Sequence, residues 1–198
     1  MKILREIGIT ILIAIAIFGL MHLTVQNYIV QGACMEPNVE NSEWIVVNKA
    51  TYFFSEPERG DVVVFWPPFP NKEPYIKRVI GLPGEVVKME DGQVFIKKVG
   101  SEEFIPLEEE YVIPKLPHYE PLVKTIPENE YFVLGDNRNH SSDSRSWGTF
   151  PGENIIGKAW IVYWPPDKWR VIKHYDYPEL GERVEQEAMF VDSIGGAA

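Results

Sequence analysis

One cysteine in 198 residues excludes an internal disulfide framework, so no covalent cross-link props up this fold. Four histidines, His22, His118, His140 and His174, stand far apart with no H-E-x-x-H or C-x-x-C spacing. No metal site and no cofactor are therefore expected. A net charge of −10 speaks against nucleic acid as a partner, since phosphate binding needs clustered Lys and Arg. Charge of either sign is missing altogether from Ile7 to Met35. Beyond that stretch no segment sustains helical periodicity over a usual helix length, and no internal repeat is visible.

What the N-terminus has instead is hydrocarbon. Ile7–Val25 is 19 residues of mainly Ile, Leu, Ala and Phe, at the lower end of a bilayer-spanning length. Lys2 and Arg5 precede it, which predicts an N-terminus inside and the following domain outside. A cleavable signal peptide is one rival reading. A lipoprotein signal is another, because Gly32-Ala33-Cys34 resembles the end of a lipobox. Gln31 stands where that box has Leu, and Cys34 lies well past the apolar core, so an uncleaved anchor is preferred. The expected organisation is a cytoplasmic N-terminus (1–6), a transmembrane anchor (7–25), an extracytoplasmic domain (26–172) and an acidic tail (173–198). The tail holds six Asp or Glu between Asp176 and Asp192 and reads as mobile or weakly helical.

The domain reads as mainly β. Trp44–Val47, Val62–Trp66, Ile76–Ile80, Val86–Met89, Gln93–Lys97, Tyr131–Leu134 and Ala159–Tyr163 are short β-branched and aromatic runs. They are punctuated by sixteen prolines and fifteen glycines, which predicts antiparallel sheets. Tyr28–Gln31 continues the span as an extended strand. Glu90-Asp91-Gly92-Gln93 predicts a hairpin turn. The interval 91–129, with Glu108–Glu110 and prolines at 106, 114, 117, 121 and 127, reads as a solvated, loop-rich insertion. Trp66-Pro67-Pro68-Phe69 and the run from Trp164 to Trp169 are aromatic turns. Each reads first as packing at strand ends, and one of them as a contact with lipid headgroups.

Cys34 lies in Q-G-A-C-M-E-P and Lys77 in Y-I-K-R-V-I-G-L-P-G-E. A lone Cys is more often a small buried hydrophobe, and a lone strand Lys more often a snorkelling surface residue. The order of four blocks weighs against both. G-A-C-M-E-P, R-G-D-V-V-V-F at 59–65, K-R-V-I-G-L-P-G-E at 77–85 and G-D-N-R-N-H-S-S-D-S-R at 135–145 resemble the successive signature boxes of type I signal peptidases. Those are membrane-anchored endopeptidases that remove signal peptides from exported proteins. The resemblance runs from the anchor to about Trp164. It departs at Cys34, where the family has serine, and at Asn38, where it usually has threonine or serine.

The resemblance implies an antiparallel β-sheet catalytic domain behind one N-terminal transmembrane helix, on the outer face of the cytoplasmic membrane. Cys34 would be the nucleophile, Lys77 its base, and the Cys34 N–H an oxyanion donor. A lysine serves as base only where its surroundings disfavour the ammonium, and Tyr75, Ile76, Val79 and Ile80 supply an apolar setting. Ser141 matches the serine that orients the lysine amine, with Ser142 and Ser144 fitting less well. Asp136, Asp143 and Arg145 would form an ion-pair network shaping the site. Tyr28, Ile29, Val30, Gln31, Gly32, Met35 and Pro37 would hold the substrate, a signal peptide with small residues at the cut, as an added strand. A thiol gives up its proton more readily than a hydroxyl, and sulfur is larger than oxygen, so a weakened peptidase is expected. The alternatives are a catalytically silent homologue that binds signal peptides, a self-cleaving repressor relative, and a lipid-modified envelope protein. The repressor reading lacks a helix-turn-helix pattern.

Overall fold

The computed structural model of the chain describes residues 2–70, 73–112 and 121–181. A helix, α1 (Lys2–Thr24), passes without a loop into strand β1 (Val25–Ile29). Its Arg5–Thr24 portion has a mean hydropathy of 2.3 and is not buried by the rest of the described protein. Twenty residues long and uncharged from Ile7 onward, that portion has the length and composition to cross a membrane. The Lys49 N–H donates to the Thr24 carbonyl at 2.8 Å, tying the end of the helix to the end of the second strand.

Everything that follows is built on antiparallel pairing. The larger sheet has the order β1, β2 (Trp44–Asn48), β11 (Ile155–Trp164), β3 (Val62–Phe65), β4 (Tyr75–Gly81), β9 (Glu130–Leu134), β10 (Phe150–Pro151), with β12 (Arg170–Val171) beside β11. The smaller has the order β7 (Ile105–Pro106), β6 (Gln93–Lys97), β5 (Val86–Glu90), β8 (Leu122–Thr125). The burial of each strand follows its sequence. Val62–Phe65 is apolar at every position and buried at every position, as a strand covered on both faces must be. Val86–Glu90 and Gln93–Lys97 alternate, burying one face only. They are joined by Asp91 and Gly92, both at positive φ, the two-residue turn that matches strand twist. Among the described residues the other α-helix is a single turn, α2 (Ser144–Trp147).

Two expectations need correction. Residues 91–112 are not simply solvated: Leu107, Tyr111 and Val112 are buried with Val87, Ile96, Ile126 and Phe132 in the core of the smaller sheet. Nor does the tail begin at 173. Tyr177 and Leu180 are buried in that same core, and the chain through Gly181 lies on the domain. The apolar residues alternating with charges there close over the second core, which strand periodicity alone does not reveal. The rest of the acidic run, 182–198, and prolines 114 and 117 lie outside the described residues.

Candidate active site

Two segments face each other across an open groove of about 830 Å³. One is the chain from Asn27 to Cys34, and the other is Glu73–Lys77 leading into β4. Strand β9 pairs with β4 only from Arg78 onward, opposite Leu134. The edge of β4 at Tyr75–Lys77 therefore has β3 on one side and the groove on the other. Val30, Ile45, Val64 and Ile76 line the groove and belong to the larger sheet's core, so its floor is apolar. Among the described residues this edge has no second strand partner, and a free edge over an apolar floor has the form to which an extended peptide can add.

At the head of this groove Lys77 Nζ lies 3.0 Å from Cys34 Sγ. The lysine is only 3 % exposed, and its Nζ also donates to the Ile76 carbonyl at 2.7 Å. The Tyr75 ring lies under the amine, 5.2 Å from Nζ to the centroid. Strand alternation turns Lys77 to the groove side and Arg78 away from it. Cys34 sits in a turn that follows Gly32, whose φ of +90° favours glycine and whose N–H is held by Asn41 Oδ1 at 2.9 Å. The Cys34 carbonyl accepts from the Asn137 N–H at 3.0 Å, which fixes the turn against the loop that follows β9. The Cys34 N–H itself donates to no acceptor among the described residues.

That loop is held by two ion pairs. Asp136 takes Arg78 in a two-pronged contact, Nε to Oδ1 at 2.8 Å and Nη2 to Oδ2 at 2.7 Å, with both side chains fully buried. Burial works against the guanidinium charge, but the Asp136 carboxylate outweighs it and pushes the Arg78 pKa up. Asn38 donates to the same Oδ2 at 2.9 Å, so the residue standing in for threonine or serine is bonded into this pair. Asp143 accepts from the Gly135 N–H at 3.0 Å and from Arg145 Nε at 2.7 Å. It also caps α2.

Of the residues expected to touch substrate, Tyr28, Ile29, Val30, Gln31 and Gly32 line the groove. Met35 does not: it is 0 % exposed and packed in the core, because the turn after Cys34 drives the next side chain inward. Pro37 is exposed on that turn but is not among the groove-lining residues. Ser141 makes no bond to Lys77. Its Oγ is buried with no hydrogen-bond partner among the described residues, and it packs so tightly over Gly135 that a Cβ there would lie 2.2 Å from it. Ser142 and His140 line the groove instead, while Ser144 Oγ is spent on the Val133 N–H at 3.0 Å. A second buried pair, Arg138 with Glu109, escaped sequence reasoning. Its one signal was that Arg138 belongs to the G-D-N-R box.

A thiol facing a buried lysine at the end of an open groove has the composition of an acyl-transfer site, the kind a peptidase uses. The family model for "Signal peptidase, peptidase S26" matches residues 3–164. A signal peptidase I of Leptolyngbya laminosa is 37 % identical over 83 % of this chain and 80 % of its own. The signal peptidase I P of Bacillus subtilis subsp. natto is 36 % identical over 82 % of this chain and 90 % of its own. A crystal structure of a signal peptidase I from Enterococcus faecalis matches 52 % of this chain and 97 % of its own, with 32 % identity and a TM-score of 0.44. The chain belongs to the signal peptidase family, peptidase S26.

Proposed function

We propose that this protein is a membrane-bound endopeptidase that cuts N-terminal signal peptides from exported precursors, with Cys34 as nucleophile and Lys77 as general base. The observation that carries the reading is the 3.0 Å contact between Sγ and Nζ at the end of the groove. The precursor adds as an extended strand between Tyr28–Gln31 and the free edge at Tyr75–Lys77, with small side chains on the apolar floor. Lys77 takes the thiol proton as Sγ attacks the scissile carbonyl, and the Cys34 N–H receives the developing oxyanion. Lys77 then delivers the proton to the departing amine, leaving a thioester. A water then gives a proton to the Lys77 amine and attacks the thioester carbonyl; the C–S bond breaks, Sγ takes that proton back from Lys77, and the new carboxylate leaves. Asp136, Asp143 and Arg145 hold the loop and take no part in bond making.

In this reading α1 spans the cytoplasmic membrane with Lys2 and Arg5 inside, and the sheets lie on the outer side. Ile29, Trp44 and Trp164 support contact with lipid. They share one register line across β1, β2 and β11, all three exposed. An exposed aromatic row on a tethered domain fits the headgroup layer. A silent, peptide-holding homologue is the second reading. The Ser141 Oγ, buried with no hydrogen-bond partner among the described residues, favours it, since the contact expected to orient the Lys77 amine is not made. Incubation of a signal-peptide-bearing precursor with the parent chain and with Lys77→Met tests the proposal. A mature N-terminus after small residues from the parent, and none from the variant, is the expected result. Equal cleavage by Lys77→Met ends the dyad reading, and binding without cleavage by the parent moves the protein to the second.

A further inference from the structure

The match to the family model ends at residue 164, and residues 173–181 beyond it lie against the back of the active site. The Lys173 carbonyl accepts from Arg78 Nη1 at 3.1 Å. The Arg78 guanidinium packs on two rings, 4.4 Å from the centroid of Tyr111 and 4.9 Å from that of Tyr175. Those rings are themselves 4.7 Å apart. Two residues further, the Tyr177 hydroxyl meets the Tyr111 hydroxyl at 2.7 Å. Tyr111 in turn donates to Glu109 at 2.8 Å, and Glu109 pairs with Arg138. Lys98 Nζ holds the end of the segment by the Leu180 carbonyl at 2.7 Å. Gly60, from the R-G-D box, leaves the space for it: a Cβ there would lie 1.8 Å from the Tyr175 carbonyl oxygen.

We propose that residues 173–181 are a strap that positions the Cys34–Lys77 dyad, with Tyr175 and Tyr177 as its positioning residues. The proposal rests on the dyad reading above and names what holds that dyad. Two routes lead from the strap to the reacting atoms. Tyr175 presses on Arg78, the residue after Lys77 on β4 and the partner of Asp136. Asp136 precedes Asn137, whose N–H holds the Cys34 carbonyl. Tyr177 works through Tyr111, Glu109 and Arg138. The Arg138 Nε bonds the Gly135 carbonyl at 3.1 Å, and its own carbonyl accepts from Arg145 at 2.7 Å. Loosening either route shifts the Cys34 turn relative to β4, and a dyad set at hydrogen-bond distance tolerates little displacement.

Only one thiol is present, so alkylation by a neutral haloacetamide, followed by intact mass, reports Cys34 alone. In the full chain in detergent, Tyr175→Leu removes the ring from Arg78, and Tyr175→Phe restores it. The expected result is alkylation slowed severalfold at neutral pH in Tyr175→Leu, because the amine no longer meets the thiol. Precursor turnover falls with it at unchanged KM, and Tyr175→Phe behaves as the parent. Tyr177→Phe, which loses only the paired hydroxyl, changes in the same direction by less, and it carries the test if Tyr175→Leu does not fold. A folded Tyr175→Leu alkylated at the parental rate overturns the proposal, as does a Tyr175→Phe as slow as the leucine variant. In the absence of a folded Tyr175→Leu, a Tyr177→Phe indistinguishable from the parent overturns it too. Alkylation needs no peptidase activity, so failure of the strap and failure of the proposed function give different results.

Discussion

Lys77 and Arg78 are neighbours on one strand and face opposite sides of the sheet: the amine meets Cys34 in the groove, and the guanidinium is buried behind it against Asp136. On the proposed function, one side of β4 serves reaction and the other rigidity. The pair behind the strand couples the two halves of the site, since Asp136 belongs to the loop that holds the Cys34 turn. A strand edge with no strand partner among the described residues would otherwise be a soft part of the fold. Burying an ion pair directly behind it restrains both the base and the loop.

Removing Asp136 should therefore be costly. Asp136→Ala leaves the Arg78 charge buried without a partner, and loss of one member of such a pair destabilises by about 3–5 kcal/mol. The variant is expected to unfold at much lower denaturant than the parent, measured by circular dichroism in detergent. Stability within about 1 kcal/mol of the parent would mean that Tyr111, Tyr175 and the backbone carbonyls alone satisfy Arg78.

Much of this architecture was legible in the sequence because it is local. The alternation in Val86–Glu90 and Gln93–Lys97, the turn at Asp91-Gly92 and the unbroken V-V-V-F of β3 each carry their own signal. The signature boxes brought Cys34, Lys77, Asp136 and Asp143 to notice, and the fold brings those boxes to one end of the groove. What stayed hidden depends on distant partners. Arg138 finds Glu109 and Arg78 finds Tyr175 only after two sheets have packed. Met35 turns inward within a turn, where no strand or helix period shows which way a side chain faces. Short strands such as Ile105–Pro106 and Arg170–Val171 have too few residues to show any period.

Acid should weaken the fold through His174, which is neutral in the folded protein. Burial, then the nearby Lys158 charge, push its pKa down from 6.5 to about 4, with Asp61 opposing and Arg78 adding to the depression. Its Nδ1 accepts from the Val62 N–H at 3.1 Å, which requires that nitrogen unprotonated. The unfolded chain binds a proton below about pH 6.5 and the folded chain only below about 4, so stability falls as pH drops through that window. The loss attributable to this residue is up to roughly 3 kcal/mol. His174→Asn keeps an acceptor and cannot titrate. Chemical unfolding between pH 7 and pH 4 should show a shallower decline for it, and parallel profiles for the two proteins would assign the acid sensitivity elsewhere.

The exposed row on β1, β2 and β11 makes a membrane prediction. The parent should resist carbonate extraction because of α1, and so should Trp44→Ser with Trp164→Ser. The double variant should nevertheless cleave a precursor in lipid vesicles severalfold more slowly, while matching the parent on a short peptide in detergent. Losing a headgroup contact tilts the groove relative to the bilayer without touching the dyad. Equal loss on both substrates would show that the tryptophans serve packing instead.

The most discriminating change is at the nucleophile. By resemblance the family carries serine at this position, so on the proposed function the amine and the oxyanion donor are expected to be spaced for an oxygen. Cys34→Ser shortens the nucleophile's reach to the carbonyl. If sulfur displaces attack by something on the order of 1 Å, the serine variant should gain up to roughly a hundredfold in turnover. Cys34→Ala should cleave nothing above background. A haloacetamide should silence the parent and leave Cys34→Ser untouched, which excludes alkylation elsewhere as the cause. A parent that cleaves well and a Cys34→Ser variant that is no faster would mean that this site is adapted to sulfur. In that outcome the 3.0 Å spacing of Sγ and Nζ is the working geometry of a thiol peptidase.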